Sequence, residues 1–133
     1  MRYLTAKEIL VLHALVVDET GGSHGVRDVS LLASIAHKPQ AEFSGKELYR
    51  GIFKKTAILL EAITNYHVFV DGNKRTALVG AARFLYLNEY ELTATNKDAE
   101  KIVMRVANRE IDMKQLTAWL KKNSKNITRK RDG

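Results

Sequence analysis

Residues 67–75 carry a histidine, an aspartate, an asparagine and two cations within a single short segment. A histidine side chain can take up a proton near neutral pH, so His67 is suited to accept the proton of an attacking hydroxyl. The carboxylate of Asp71 is the kind of ligand that Mg²⁺ takes from proteins, usually one or two at a time. Lys74 and Arg75 match the charge and the oxygen geometry of phosphate groups. These residue types in this order predict a site for phosphate transfer.

A helix is predicted directly after Gly72, from residue 73 to about residue 87. Its apolar residues recur at helical spacing, at Leu78, Ala81, Ala82 and Leu85. Lys74 and Arg75 then lie in the first turn, where the helix dipole disfavours each cation by about 0.3–1 kcal/mol. A bound anion reverses this effect, so the arrangement favours a phosphate at the helix N-terminus.

Gly72, Asn73 and Phe69 complete the predicted site. Gly72 allows the backbone to approach a ligand, Asn73 offers an amide, and Phe69 is expected to anchor the loop in the core. Each residue also has an ordinary explanation when taken singly. A histidine behind a helix often caps it, Asp-Gly is a common turn, and neighbouring cations often form a solvated surface. The joint occurrence of these residues before a helix favours the functional interpretation.

The pattern His-x-Phe-x-Asp-Gly-Asn-Lys-Arg-Thr-Ala-Leu closely resembles the signature of the Doc (death-on-curing) branch of the Fic/Doc, or Fido, proteins. The resemblance extends over roughly residues 4–92 and includes the glycine-rich residues 21–28. It implies that His67 is the general base and that Asp71 holds Mg²⁺. The residues implied to bind the phosphates of ATP are Gly72, Asn73, Lys74 and Arg75.

Two positions bear on which phosphate is transferred. Family members that attach AMP resemble His-Pro-Phe-x-(Asp/Glu)-Gly-Asn-Gly-Arg, with a further arginine behind it. Here Lys74 replaces the second glycine and Leu78 replaces the further arginine, and the Doc branch shares both differences. That branch is associated with a reversed pose of ATP that presents the γ-phosphate. The resemblance therefore implies a protein kinase, the toxin of a type II toxin–antitoxin module, that phosphorylates a threonine of translation elongation factor Tu and arrests translation.

The alternative is a Fic-type adenylyltransferase that attaches AMP to a hydroxyl side chain, since Gly72 stands where some Doc sequences have alanine. Members of the family that inhibit themselves carry (Ser/Thr)-x-x-x-Glu-(Gly/Asn). No serine or threonine of this chain is followed by glutamate at that spacing. Inhibition is therefore expected in trans, from a Phd-like antitoxin whose disordered C-terminal segment folds onto the toxin.

The composition is that of one folded domain. The chain has 133 residues, of which 45% are hydrophobic and 28% charged, and it contains no cysteine. No apolar run approaches the roughly 18–20 residues of a membrane span, and the first residues lack a secretory pattern. We therefore expect a cytoplasmic protein without a membrane partner.

The net charge of +7 is concentrated at the end of the chain. Residues 121–133 hold six of the 22 cations and one of the 15 acids. Such a segment is usually solvated, so residues 123–133 are expected to be a basic, disordered tail without direct nucleic-acid binding. A non-enzymatic module that binds nucleic acid through this tail is the other hypothesis.

Residues 1–122 are predicted to form an all-α domain, a compact Fic/Doc-like bundle of about six helices. The predicted helices are residues 5–18, residues 27 or 28 to 36, residues 46–66, residues 73–87, a helix that contains residues 99–106, and one that follows Asp112. A loop or short hairpin (a flap) is predicted near Phe43, with no other strand pair. Residues 21–25 are predicted to be a flexible turn, and His13 is expected in the core or at its boundary.

Overall fold

The computed structural model describes residues 1–128, and these form six α-helices and two small antiparallel sheets. The helices are α1 (Ala6–Thr20), α2 (Val29–His37), α3 (Ile52–Asn65), α4 (Asn73–Leu87), α5 (Asn96–Ala107) and α6 (Met113–Lys122). The strands are β1 (Glu42–Phe43), β2 (Lys46–Glu47), β3 (Tyr90–Leu92) and β4 (Ser124–Asn126). The predicted helical class and the predicted number of helices are confirmed.

Side-chain caps fix the beginnings of several helices. The side chain of Thr5 accepts a hydrogen bond from Glu8 N, and the Glu8 side chain accepts one from Thr5 N, which together form a capping box at the start of α1. Asp112 and Gln115 form the same reciprocal pair at α6. Asp28 caps α2 through the backbone N–H of Leu31. These local signals explain why the starts of α1, α2 and α6 were predictable from sequence.

The central helix of the fold is α3. Every residue from Lys55 to Thr64 except Glu61 is buried, so no face of the helix is open to solvent there, and the helix packs against α4, α5 and α6. A helix buried on every face belongs in the middle of a bundle. The segment between α3 and α4 is therefore fixed at both ends by the best-packed helices of the protein.

The hairpin predicted near Phe43 is present as β1 and β2. The residues between the strands, Ser44 and Gly45, have φ angles of 51° and 75°, as a type I′ turn requires. The prediction that α3 begins near residue 46 is wrong. β2 occupies that position, and α3 begins only at Ile52, after Gly51 with a non-helical φ of 84°.

A buried lysine fastens this hairpin to α3. Lys55 is 1% exposed, and its Nζ donates to the carbonyl oxygen of Pro39 at 2.9 Å. The same Nζ lies 3.2 Å from Oε1 of Glu47 in β2. A buried ammonium group needs such partners, because an unpaired charge in the core is strongly destabilising.

The end of the described chain differs from the prediction. The sequence indicated a domain boundary at residue 122 and a disordered tail behind it. Instead, β4 pairs with β3, so the prediction of no strand pair besides the hairpin near Phe43 is wrong. Ile127 N also donates to the Glu89 carbonyl at 2.9 Å. The pairing uses backbone groups, so the polar composition of Ser124–Asn126 gave no sign of it. The rest of the predicted tail, residues 129–133, lies outside the described residues.

Within residues 1–128, none of the helices has both the length and the apolar character needed to cross a membrane.

Candidate active site

The candidate site is built on the loop between α3 and α4, residues 66–72. Val68 and Phe69 are completely buried, whereas His67, Val70 and Asp71 are exposed. The two buried side chains anchor the loop in the core cluster. The predicted anchoring role of Phe69 agrees with this burial, and the exposed neighbours are left at the surface beside the start of α4.

Asn73 fixes the shape of this loop. Its Nδ2 donates to the carbonyl oxygen of Phe69 at 2.9 Å, and its Oδ1 accepts from the N–H of Phe69 at 3.0 Å. The side-chain amide that was predicted to bind phosphate is therefore engaged by the loop backbone. The group that Asn73 offers to an anion is its own backbone N–H, in the first turn of α4.

A second loop, residues 21–27, is hydrogen-bonded along the first. Arg27 N donates to the Val68 carbonyl at 2.8 Å, and Val70 N donates to the Gly25 carbonyl at 3.0 Å. Ser23 N donates to Oδ2 of Asp71 at 2.8 Å. The sequence predicted only a flexible turn here, and this contribution to the site was missed.

The glycines of this second loop permit the close approach. A Cβ on Gly25 would lie 2.8 Å from Cγ2 of Val70, and one on Gly22 would lie 3.1 Å from Cβ of Asp71. Real Cβ atoms are not found as close as the first of these distances, so a side chain at Gly25 would force Val70 or the loop backbone to shift. The glycine-rich run was the one signal in the sequence that could have indicated this contact.

His13 of α1 lies beneath the motif loop. Its ring stacks on the ring of Phe69 with a centroid distance of 3.7 Å and an interplanar angle of 6°. Its Nε2 donates to the Asp71 carbonyl at 2.8 Å. The side chain is fully buried, as expected for a histidine of the core.

The N-terminus of α4 provides backbone donors. Its N-cap is Gly72, at a left-handed φ of 77°, and this residue makes no side-chain capping bond. The first turn holds no acidic residue and contains Lys74 and Arg75. The first N–H groups of a helix have no intrahelical acceptor, so this end of α4 is suited to an anion.

These groups surround one open cleft of about 430 Å³. Its lining residues are Thr64, His67, Val70, Asp71, Gly72, Asn73, Lys74 and Arg75. The structure thus brings together all the predicted catalytic, metal-binding and phosphate-binding residues, with Phe69 buried behind them.

Arg75 is also in contact with α5. Its Nη1 lies 3.7 Å from Oε1 of Glu100, and both side chains are about half exposed. An exposed pair at this distance contributes little, roughly 0–1 kcal/mol, so the guanidinium is readily exchanged onto a phosphate. Lys74 and Arg75 also line a neighbouring cleft of about 280 Å³ with Leu78 and Met104.

His67 has a left-handed backbone, with a φ of 52°. This conformation costs a residue with a side chain about 1–3 kcal/mol, and such strain is typical of functional sites. The neighbours on each side are held in place. Val68 accepts the bond from Arg27, and the hydroxyl of Tyr66 accepts a hydrogen bond from Nζ of Lys38.

The pKa of Lys38 responds to this contact with Tyr66. Burial by itself lowers the pKa of Lys38. The hydrogen bond to Tyr66 and the charges of Tyr66, Glu61 and Tyr49 act in the opposite direction and outweigh burial, so the pKa lies above its ordinary value. Lys38 therefore stays protonated, and it keeps donating to the residue that precedes His67.

The carboxylate of Asp71 is a suitable ligand for Mg²⁺. Ser23 N binds Oδ2, and among residues 1–128 no hydrogen bond reaches Oδ1, which leaves that oxygen as a hard ligand at the cleft. Within residues 1–128 there is no group of three or more histidine, cysteine, aspartate or glutamate side chains that could hold a metal. Mg²⁺ needs no such group when phosphate and water supply its remaining ligands.

Comparison with known proteins points to the same family as the motif. The sequence model of the Fic/DOC family matches residues 3–85. A protein of Mycolicibacterium smegmatis named Toxin Doc is 36% identical over 120 residues, which are 89% of this chain and 90% of that protein. Protein kinase doc of Escherichia phage P1 is 34% identical over 88 residues, which are 66% of this chain and 69% of that protein. With the motif loop, the glycine-rich loop and the start of α4 all inside the matched region, this chain belongs to the Fic/Doc family.

Proposed function

We propose that this protein is the toxin of a toxin–antitoxin module and acts as a Doc-type protein kinase. Its substrates are ATP, with Mg²⁺, and a threonine of translation elongation factor Tu, and its effect is the arrest of translation. The observation that carries the proposal is the placement of His67 and Asp71 beside the uncapped N-terminus of α4. The printed names of the two relatives, Toxin Doc and Protein kinase doc, support the same activity.

In the proposed reaction the hydroxyl oxygen of the target attacks the γ-phosphorus of ATP. The new oxygen–phosphorus bond forms while the bond from that phosphorus to the bridging oxygen of ADP breaks, and ADP leaves. His67 takes the proton of the hydroxyl, because its exposed imidazole lines the same cleft as the phosphate-binding groups. Bound Mg²⁺, held by Asp71, would neutralise phosphate charge.

The phosphates are proposed to lie against the first turn of α4. The backbone N–H groups of that turn donate to phosphate oxygens, and Gly72 lets them approach. Lys74 contributes a mobile point charge, and Arg75 contributes a planar pair of donors after it leaves Glu100. The side chain of Asn73 keeps the loop in shape during the reaction.

Transfer of the γ-phosphate is favoured over transfer of AMP by two side chains. Lys74 lines the cleft and occupies space and charge at the position where AMP-transferring relatives have glycine. Leu78 is half-buried and lines the adjacent cleft, where those relatives offer an arginine to a phosphate. The adenylyltransferase is the second candidate, because Gly72 and Asn73 are common to both patterns.

Inhibition by a separate, Phd-like antitoxin is part of the proposal. The sequence lacks the self-inhibitory serine/threonine–glutamate pattern, so the chain offers no such glutamate of its own to block the γ-phosphate. The antitoxin's C-terminal segment would fold onto the toxin and close the site. The cytoplasm, where elongation factor Tu works, is the corresponding location.

The deciding experiment uses purified protein, elongation factor Tu, Mg²⁺ and ATP labelled at either the α- or the γ-phosphate. We expect only the γ-label to reach the elongation factor, with a mass increase of one phosphate on a threonine. An adduct that carries the α-label and the mass of AMP would replace the kinase with the adenylyltransferase. Absence of either adduct on elongation factor Tu, with transfer to another protein in a lysate, would contradict the target.

A further inference from the structure

His13 is a buried titratable residue that the proposed reaction does not use. It belongs to α1, far from the motif in sequence, and its side chain is 0% exposed. It nevertheless contacts the motif at successive points. The ring stacks on Phe69, Nε2 lies 2.8 Å from the Asp71 carbonyl oxygen, and Cδ2 lies 3.8 Å from the position of a Cβ on Gly72.

The hydrogen bond to Asp71 defines the state of the ring. A carbonyl oxygen only accepts, so Nε2 of His13 must carry a hydrogen. The other nitrogen, Nδ1, is buried and has no hydrogen-bond partner among residues 1–128. A buried polar atom without a partner destabilises a fold, so packing alone favours an apolar ring at this position. The hydrogen bond that Nε2–H donates to the Asp71 carbonyl therefore accounts for a histidine at this position.

That N–H holds the peptide between Asp71 and Gly72. Asp71 is thereby fixed twice, since its carbonyl is bound by His13 and its carboxylate by Ser23 N. The same peptide leads into Gly72, the left-handed N-cap of α4. If this peptide were free to rotate, the carboxylate of Asp71 and the first turn of α4, which it joins, would no longer be held in one relative orientation.

We propose that His13 is a positioning residue, whose Nε2–H fixes the Asp71–Gly72 peptide so that the metal-binding carboxylate and the phosphate-binding helix N-terminus face one ligand. The inference rests on the proposed function, in which Asp71 holds Mg²⁺. The imidazole itself touches neither metal nor nucleotide and acts through the backbone of the motif.

Two substitutions separate the hydrogen bond from the packing. His13→Phe keeps a planar ring for stacking on Phe69 and removes both the donor and the unpaired Nδ1. His13→Gln places an amide N–H at the same number of bonds from Cβ as Nε2, so it can restore the bond without the ring. A purely structural role would be served better by phenylalanine, and a positioning role better by glutamine.

The binding experiment is calorimetry of a non-hydrolysable ATP analogue, with and without Mg²⁺, together with thermal melting. We expect His13→Phe to stay folded and to melt near the wild-type temperature, because loss of the unpaired Nδ1 offsets loss of the hydrogen bond to Asp71. It should weaken the Mg²⁺-dependent binding by about 10–100-fold, the range found when a group that orients a metal ligand is lost. His13→Gln should recover most of that loss. Binding by His13→Phe equal to wild type, or a loss in both variants that follows their melting temperatures, would overturn the positioning role.

A second readout does not depend on the proposed function. In the free protein, the line width of the Gly72 amide resonance reports the mobility of the Asp71–Gly72 peptide, and the resonance should broaden in His13→Phe but stay as sharp as in the wild type in His13→Gln. A sharp Gly72 resonance in His13→Phe would contradict the inference. Absence of Mg²⁺-dependent nucleotide binding in the wild-type protein would contradict the proposed function instead, so the two failures are distinguishable.

Discussion

At the scale of single residues, the motif divides its side chains between chemistry and loop shape. His67, Asp71 and Lys74 are exposed at the cleft, where they can reach a ligand. Phe69 is buried, and the amide of Asn73 is bound to the backbone of Phe69. A substitution in the first group should therefore change the reaction with little effect on stability, and one in the second group should change both.

His67→Asn tests the general base. Asparagine tolerates a left-handed backbone, so the fold should persist at the φ of 52°. Its amide cannot take the hydroxyl proton, and the transfer rate should fall by about 10²–10⁴-fold. Initial rates with γ-labelled ATP measure the transfer, and a melting curve checks that the variant is folded. Expression of the variant should no longer arrest growth. A folded variant with the wild-type rate would remove His67 from the mechanism.

Asp71→Asn tests the metal ligand. The amide oxygen can still accept the hydrogen bond from Ser23 N, so the contact between the two loops should survive. A neutral amide is a poorer ligand for a hard dication. Mg²⁺-dependent binding of an ATP analogue should weaken by more than about tenfold, since even groups that only support a ligand contribute that much. Calorimetry that shows the wild-type dependence on Mg²⁺ would exclude this role.

Lys74→Gly tests the choice between phosphate and AMP. The change removes a charge from the cleft and costs helix stability, about 1 kcal/mol in a helix interior. Phosphate transfer should fall, and AMP transfer should stay weak because Leu78 still replaces the arginine. Lys74→Ala removes the same charge but favours the helix more than glycine does, so it separates the two effects. Lys74→Arg keeps the charge. Undiminished phosphate transfer by the glycine variant, read from the mass of the modified target, would contradict the role of Lys74.

At the scale of elements, the site depends on two loops that are bonded to each other along their backbones. The glycine-rich loop before α2 supplies Arg27 N and Ser23 N to the motif loop and accepts Val70 N through Gly25. These bonds hold the loop in the positions that His67 and Asp71 require. The loops approach so closely that a single added methyl group at Gly25 would collide with Val70.

Gly25→Ala tests this contact. The added Cβ would lie 2.8 Å from Cγ2 of Val70, so the variant should be less stable by about 1–3 kcal/mol, as in other overpacked sites, and less active. Val70→Ala removes Cγ2 from an exposed side chain and should have a small effect alone. In the double variant, chemical denaturation should show that much of the stability returns. If Gly25→Ala lowers the stability equally with valine and with alanine at position 70, the clash with Cγ2 is not the cause.

At the scale of the whole molecule, the described residues after α6, 123–128, belong to the fold. β4 pairs with β3, and Thr93 N donates to the carbonyl of Asn123 at 2.6 Å. This sheet ties the end of the described chain to the connection between α4 and α5. One of the basic residues of the predicted tail, Lys125, therefore lies within this sheet, and its Nζ is 3.6 Å from Oε2 of Glu91 on the neighbouring strand.

Two deletions test the extent of the domain. Removal of residues 123–133 takes away β4, whose backbone bonds contribute about 0.5–1.5 kcal/mol each, and 1 kcal/mol shifts the Tm of a domain of this size by roughly 4 °C. The Tm should drop by several degrees relative to a control that lacks only residues 129–133. If growth arrest on expression is lost when residues 129–133 are removed but kept in His67→Asn, the result would instead support a nucleic-acid-binding module.

Sequence patterns were enough to predict the helical class, most helix starts and six of the eight residues that line the cleft. Apolar periodicity and capping side chains are local signals, and the residues of the motif are adjacent in the chain, so both are visible without a structure. Only the tertiary structure decided that Asn73 holds the loop, that His13 and the glycine-rich loop hold Asp71, and that β4 completes a sheet. These contacts are hydrogen bonds to backbone groups, most of them between distant parts of the chain. Every residue except proline carries the same backbone donor and acceptor, so side-chain patterns do not record which of them will meet.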